Sequence, residues 1–382
     1  MSKGNLVDME GAYNLCIIKP NQSAFSETFI QAHIDRLAGN KKVLYGGAFP
    51  VYDHEGKYLI RSKIALLSYL IQKRIFKKKQ IGVSNRALAK YLKQNKIDVV
   101  LAEYGMVGAT ISEACKMAGV PLVIHFHGAD AHHKPTVAKY RELYPAAFEY
   151  ASAIVAVSND MVEALKQLGA PSSKIHLNPY GVDSTRFPLV DLSGSAPDFI
   201  SVGRFVEKKS PQSVVRAFKQ VHDRIPQTRL WMVGEGALLE ETKQLIAELG
   251  FTDSVTLTGV MQAADIRKLM GSVRCFVQHS VTTPDGDMEG TPNTILEAAS
   301  SGLAIVSTAH AGIKEAVINN VTGFLVAEHD VDGMAAKMIA IAHDVELATK
   351  MGLAAHAHIE QNYNIDKRIA LLDQIISNSI SK

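Results

Sequence analysis

The side chains best suited to chemistry lie in one stretch, Asp285-Gly-Asp-Met-Glu289-Gly290-Thr291-Pro292-Asn293-Thr294-Ile-Leu-Glu297. Thr291 suits an N-cap and Pro292 a first helical position, so Gly290 to Thr294 are expected to present backbone N–H groups at a helix N-terminus, an anion seat. Glu297 then falls roughly one and a half turns into the helix, with Glu289 just before it in a Gly-flanked loop. Carboxylates placed this way accept hydrogen bonds from vicinal hydroxyls while the amides meet a phosphate. A sugar nucleotide offers both groups. A solvated helix start would show the same Glu pair, so other segments must decide. Gly203-Arg204-(x)4-Lys209 follows a strand pattern and puts two cations where a diphosphate could lie. Val233-Gly234-Glu235-Gly236 ends the next strand with glycines that permit close backbone approach to a ligand. A surface pair and a simple turn are the bland alternatives; their occurrence together favours a site.

Short β-branched runs alternate with helical patterns along the chain, which predicts an α/β architecture of parallel sheets with helical crossovers. In the first half the expected strands are Asn14 to Ile18, Lys42 to Tyr45, Val99 to Leu101, Leu122 to His125 and Ala153 to Val157. In the second they are Asp198 to Val202, Arg229 to Val233, Val255 to Leu257, Arg274 to Val277 and Ala304 to Ser307. Helices are expected at Glu27 to Leu37, Ser112 to Ala118, Gln212 to Val221 and Glu240 to Leu249, with a closing helix at Asp366 to Ser379. Pro179, Gly181, Pro188, Gly194 and Pro197 mark a boundary region. The expected domains are 1–182 and 183–365, with 366–382 packing back on the first. Ligands of open parallel sheets bind beyond the carboxyl ends of the strands, so two such domains are expected to face each other across a cleft.

At 382 residues, with 47% apolar and 21% charged side chains, the chain suits two buried cores and excludes wholesale disorder. Cys16, Cys115 and Cys275 are far apart with no CxxC pair, which opposes a disulfide framework. Met1 to Glu10 lack the regions of a signal peptide and no run is long enough to span a bilayer, so a cytoplasmic protein is expected. The net charge of +3 hides an asymmetry: residues 1–182 carry 23 Lys/Arg against 14 Asp/Glu, and the remainder 18 against 24. Arg61 to Lys96 holds 11 basic residues and no acidic one, with Ile64, Leu67, Leu70, Ile71 and Ile75 at helical spacing. The natural partner of such a segment is an anionic membrane surface, which makes the protein peripheral on the inner face of the cell membrane. A solvated helix face is the alternative, and no motif favours nucleic acid.

The order Gly203-Arg204-(x)4-Lys209, Val233-Gly234-Glu235-Gly236 and Glu289-(x)7-Glu297 resembles the retaining nucleotide-sugar glycosyltransferases of family 4, which have the GT-B fold of two Rossmann-like domains. Asn178-Pro-Tyr-Gly-Val-Asp183 with Phe187 resembles the family's interdomain connection, and Gly312-Ile-Lys-Glu315 with Gly323-Phe-Leu-Val its downstream elements. Ser26-Glu27-Thr28-Phe-Ile30, His125-Phe-His127-Gly-Ala-Asp130 and Asp285-Gly-Asp-Met-Glu-Gly are most similar to exopolysaccharide transferases of the colanic acid and amylovoran type. The resemblance implies transfer of a hexose from a UDP- or GDP-sugar to a glycan acceptor, in surface or extracellular polysaccharide synthesis. Polysaccharide acceptors of this kind are often linked to a polyprenyl diphosphate. Arg204 and Lys209 would bind the diphosphate, Glu297 the ribose and Glu289 the transferred sugar. Backbone around Val260 and Met261 would hold the base, and His127 would stand beside the sugar. The acceptor side would use loops that include Ser26, Glu27, Thr28, Tyr104 and Asp130. Ser210 stands where a glycine commonly follows the lysine.

No cofactor and no metal are expected, because cationic side chains neutralise the diphosphate in GT-B enzymes. His125, His127, His132 and His133 with Asp130 have zinc-ligand chemistry, and Asp285 and Asp287 resemble a metal-binding Asp-x-Asp, but both fit the metal-free scheme. A sugar-nucleotide epimerase or a phosphorylase of similar architecture is the nearest alternative. A dinucleotide oxidoreductase lacks its GxGxxG fingerprint here, and a periplasmic sugar-binding protein would need export.

Overall fold

The computed structural model describes residues 13–22 and 28–381. Contacts group the described residues into two compact units, one running up to Asn178 and resuming at Ile369, the other Pro179–Arg368. Each holds a six-stranded sheet among the described residues, and every strand pair in both is parallel.

The first sheet comprises β1 (Asn14–Lys19), β2 (Asn40–Tyr45), β3 (Val99–Glu103), β4 (Leu122–His125), β5 (Ala153–Ala156) and β6 (Ile175–Leu177), in the order β2-β1-β3-β4-β5-β6. Leu15, Cys16, Ile17 and Ile18 are fully buried, as are Val99 to Ala102. Helices on both faces of a parallel sheet require continuous apolar runs of this kind instead of alternation. The order in which strands are added reverses between β1 and β3, so the crevice beyond the sheet opens between the carboxyl ends of these two parallel strands. The last helix, Ile365–Ile380, contributes Asp373 to this unit, where its carboxylate accepts the Tyr13 hydroxyl at 3.2 Å and the Ala38 amide at 2.9 Å.

The second sheet comprises β7 (Phe199–Val202), β8 (Leu230–Val233), β9 (Val255–Gly259), β10 (Cys275–Gln278), β11 (Ala304–Thr308) and β12 (Gly323–Val326), in the order β12-β11-β10-β7-β8-β9. Its reversal falls between β7 and β10. The loops leaving these two strands are Gly203 to Lys209 and His279 to Glu289, which contain the cations and carboxylates singled out above.

All ten expected strands are present. Two more, β6 and β12, occupy an edge of each sheet. β6 has three residues and an exposed flank, too short for a periodic signal. The helix expected at Ser112 to Ala118 begins earlier, at Gly105. Glycine disfavours helices, yet a Cβ on Gly105 would lie 2.0 Å from Phe126 Cε1, so packing against a buried ring demands it. Tyr104, immediately before, adopts a positive φ of 81° to turn from β3 into this helix. Gly105→Ala is expected to overpack this junction and cost about 1–3 kcal/mol, measured as a lower urea midpoint with an unchanged slope.

Candidate active site

In the second unit the β7 loop brings Gly203, Arg204, Lys208 and Lys209 under the loop that follows β10. The Lys209 stem lies over Gly203, whose built Cβ would meet Lys209 Cε at 3.5 Å. Lys209 Nζ reaches Glu289 Oε2 at 3.3 Å, with both side chains largely buried. Lys208 Nζ pairs with Asp287 Oδ1 at 3.0 Å and also donates to the Met288 carbonyl at 3.3 Å. Burial lowers the Lys209 ammonium below the ordinary lysine range, against the pull of Glu289; Lys208 and Arg204 lower it further. Burial alone would raise the Glu289 carboxyl, but the charges of Lys209 and Lys208 outweigh it and hold it below the ordinary range. The 3.3 Å contact makes the two a buried ion pair. Glu289 Oε1 is buried and has no hydrogen-bond partner among the described residues. An oxygen so placed is an acceptor suited to a hydroxyl.

Two details differ from the sequence-based expectation, the helix N-cap and the role of the paired glycines. The helix Asn293–Ser300 has Pro292, not Thr291, at its N-cap, and no side chain caps it. Pro292 is extended, with ψ 117°, and Thr291 is buried against Gly312, where a Cβ would come within 2.6 Å of its Oγ1. Gly234 and Gly236 do permit a close approach, but to the neighbouring loop. A Cβ on Gly234 would lie 2.1 Å from the Gly203 carbonyl oxygen, and one on Gly236 2.4 Å from that of Phe205. Their glycines let the β7 and β8 loops touch, and the exposed Glu235 joins them through its carbonyl, which accepts the Phe205 amide at 2.9 Å. Asp285 and Asp287 serve the loop, the first accepting the Thr283 hydroxyl at 2.5 Å and the second holding Lys208.

Glu297 has a different setting. Burial pushes its carboxyl up to about 7, and the charges of Arg186 and Arg267 offset this only in part. Arg267 also lies over the Phe187 ring at 5.8 Å. Val260 and Met261 follow β9, and Val260 is exposed. Gly290 is locked from behind by Gly312, whose amide donates to its carbonyl at 3.1 Å, while Asn293 and Thr294 open the helix. Ser210 has φ 38° and ψ 57°, a conformation that suits the glycine it replaces.

In the first unit His127 is buried beside β4. Its Nε2 lies 2.9 Å from Glu103 Oε2, and Glu103 Oε1 lies 2.8 Å from His33 Nδ1. Burial would raise Glu103, but His33 and His127 hold it well below the ordinary carboxylate range. The His125 and His127 rings stack at 4.5 Å, and the Tyr104 and Phe29 rings each stand 4.6 Å from His127. Burial keeps His125 neutral. Ligand atoms of Glu103, His125 and His127 lie within 4.8 Å of one another, a spacing compatible with a metal, and both Glu103 oxygens already face an imidazole nitrogen. Asp130 stands apart from this cluster. Its carboxylate accepts the amides of Gly105 at 2.7 Å, Gly128 at 2.9 Å and His127 at 3.0 Å, which makes it a clamp for the β3 and β4 loops. Thr28 is exposed at the start of the helix Thr28–Arg36; Ser26 and Glu27 lie outside the described residues.

Two family models cover most of the chain. "Glycosyl transferases group 1" matches residues 190–358 and "Glycosyltransferase Family 4" residues 68–186. The chain belongs to the family 4 glycosyltransferases. A Salmonella typhimurium protein named as a colanic acid biosynthesis glycosyltransferase, WcaL, is 28% identical over 73% of this chain and 71% of its own. The amylovoran biosynthesis glycosyltransferase AmsK of Erwinia amylovora is 28% identical over 70% and 67%. An Escherichia coli UDP-Gal:alpha-D-GlcNAc-diphosphoundecaprenol alpha-1,3-galactosyltransferase is 26% identical over 74% and 76%. In fold, the chain matches Anabaena HepE, whose crystal structure contains UDP and glucose, with a TM-score of 0.74 at 17% identity, over 96% of this chain and 100% of that one. The two sheets are those of a GT-B glycosyltransferase.

Several residues at this glycosyltransferase's strand ends escape a motif reading, Lys208, His310 and Glu328 in the second unit and Glu103 in the first, as does His33 within the helix Thr28–Arg36. Glu103 closes β3, and His310 and Glu328 each stand two residues beyond a strand, so the strand-end rule was the available signal. Glu297 generates a pH prediction. A carboxyl raised in the folded state favours folding below the ordinary glutamate value of about 4.5 and loses that contribution as pH rises through about 7. The wild type should therefore lose more stability than Glu297→Gln between pH 5 and pH 8, measured by urea titration across about that interval.

Proposed function

We propose that this glycosyltransferase moves a hexose from a UDP- or GDP-sugar to a glycan acceptor carried on a polyprenyl diphosphate, with retention of anomeric configuration and without a metal on the diphosphate. One observation carries the reading: a buried lysine holds one oxygen of Glu289 while the other oxygen is buried without a partner among the described residues. An ammonium ready for phosphate and an acceptor ready for a hydroxyl then stand side by side at the sheet's switch point. The UDP in HepE and the diphosphoundecaprenol named for the galactosyltransferase support the donor and acceptor classes.

The bond from the anomeric carbon to the diphosphate oxygen breaks, the acceptor oxygen bonds to that carbon, and the acceptor's proton passes to the departing phosphate on the same face. Positive charge develops on the sugar and negative charge on the diphosphate. Arg204 and Lys209, with the amides of the Asn293–Ser300 helix start, oppose the second. Glu289 accepts a sugar hydroxyl near the reacting end, Glu297 accepts the ribose hydroxyls, and backbone around Val260 and Met261 holds the base. In the first unit Glu103 orients His127. Preorganised donors of this kind are worth on the order of 3 kcal/mol each in the transition state. Arg204→Ala and Lys209→Ala should each slow transfer by roughly a hundredfold or more, with the melting temperature of Arg204→Ala near wild type and that of Lys209→Ala lowered because Glu289 loses its partner; rates within about twofold in a radiolabelled-sugar assay would remove both residues from the scheme.

The basic segment forms the helices Lys63–Arg74 and Gly82–Gln94. Of the first helix only Tyr69 is buried, whereas Ile64 is 83%, Leu67 59%, Ile75 68% and Phe76 65% exposed. Ile64, Leu67, Ile71 and Ile75 line one face of it, flanked by Lys63, Lys73, Arg74, Lys77 and Lys78. An apolar stripe turned to solvent and rimmed with cations fits the surface of an anionic bilayer, where the lipid-linked acceptor resides. Among the described residues no helix is long and apolar enough to cross one. Each engaged cation adds about 1 kcal/mol near such a surface. Cosedimentation with phosphatidylglycerol vesicles should fall with added salt and with Lys77→Glu/Lys78→Glu; unchanged binding would end the surface model.

A further inference from the structure

The backbone of Glu289 is held by a chain of groups that none of the roles above uses. His310 lies two residues beyond β11 and is 1% exposed. Its Nε2 receives the Glu289 amide at 3.0 Å. An amide N–H can only donate, so Nε2 is unprotonated and the ring carries its proton on Nδ1. That nitrogen lies 2.6 Å from Glu328 Oε1. Glu328 is fixed in turn by the Thr282 amide at 2.7 Å and the Thr282 hydroxyl at 3.2 Å. The sequence Thr282, Glu328, His310, Glu289 thus runs from the loop after β10, through the ends of β12 and β11, and back to the loop bearing the carboxylate. Gly312 closes the same contact through the Gly290 carbonyl.

We propose that His310, locked by Glu328 as the Nδ1–H tautomer, is a positioning residue that sets where the Glu289 carboxylate stands. This rests on the reading that Glu289 meets the donor sugar. His310 touches neither Lys209 nor, on that reading, the substrate; it acts only through the Glu289 backbone. A carboxylate displaced by about 1 Å from a reacting centre can lose a factor of roughly a hundred in rate. Histidine suits the task because one ring both accepts from an amide and donates to a carboxylate in a fixed geometry.

Two measurements test it on the full chain. With histidine labelled by 15N, the resonances lost in His310→Gln should show the Nδ1–H tautomer at neutral pH; an Nε2–H tautomer or an imidazolium would overturn the geometry. In steady-state transfer, His310→Leu should lower kcat by about ten- to a hundredfold while the affinity for free UDP or GDP changes by less than about threefold. His310→Gln, whose amide can still accept and donate, should recover most of that loss. If Glu289→Gln abolishes transfer but His310→Leu, folded by its melting curve, keeps the wild-type kcat, the inference fails. If Glu289→Gln itself keeps full activity, the donor-site reading fails and the tautomer result stands by itself.

Discussion

A buried ammonium facing a buried carboxylate is the constraint around which the second unit is arranged. Neither Lys209 nor Glu289 would be stable in that place by itself, because an unpaired charge inside protein costs several kcal/mol. Both therefore require the β7 and β10 loops to meet at a fixed separation. Lys208 with Asp287, the Gly203 seat under the Lys209 stem, and the contact of Gly312 with Gly290 all hold that separation. The pair leaves one carboxylate oxygen without a partner among the described residues.

The first unit uses the same device at its own switch point. Glu103 ends β3 fully buried and binds imidazoles from two other elements, so a single carboxylate fixes His127 and His33. Asp130 organises the neighbouring loops by accepting three backbone amides. In both units a buried acid at a strand end orders the polar groups around it, and apolar sheet strands supply the rigid support that small displacements in a site demand.

How far these features are legible before the structure is known differs by residue. The Arg204, Lys209, Glu289 and Glu297 spacing is visible in the chain because each belongs to a strand-end loop or helix start with a local signature. The exposed stripe of the Lys63–Arg74 helix is visible as periodicity, but periodicity alone does not say whether the stripe faces a core or the solvent. The edge strand β6 lacks any local mark, because three residues with an exposed flank carry no apolar run, whereas β12 is the short apolar Gly323-Phe-Leu-Val.

Alternating β-branched and helical stretches are a property of neighbours along the chain, so the two parallel sheets, their order of appearance and the chemistry of the strand-end loops can be inferred from residue types. The partners of those loops cannot. His310 meets Glu289 across 21 residues, Lys208 meets Asp287 across 79, and Asp373 reaches Tyr13 across 360. Such meetings are set by sheet order and by the few places where a missing Cβ lets two backbones touch, as at Gly234 and Gly312. Protonation follows from the same packing: burial and neighbouring charge push Glu297 up and hold Glu289 down, although the two are the same residue type eight positions apart.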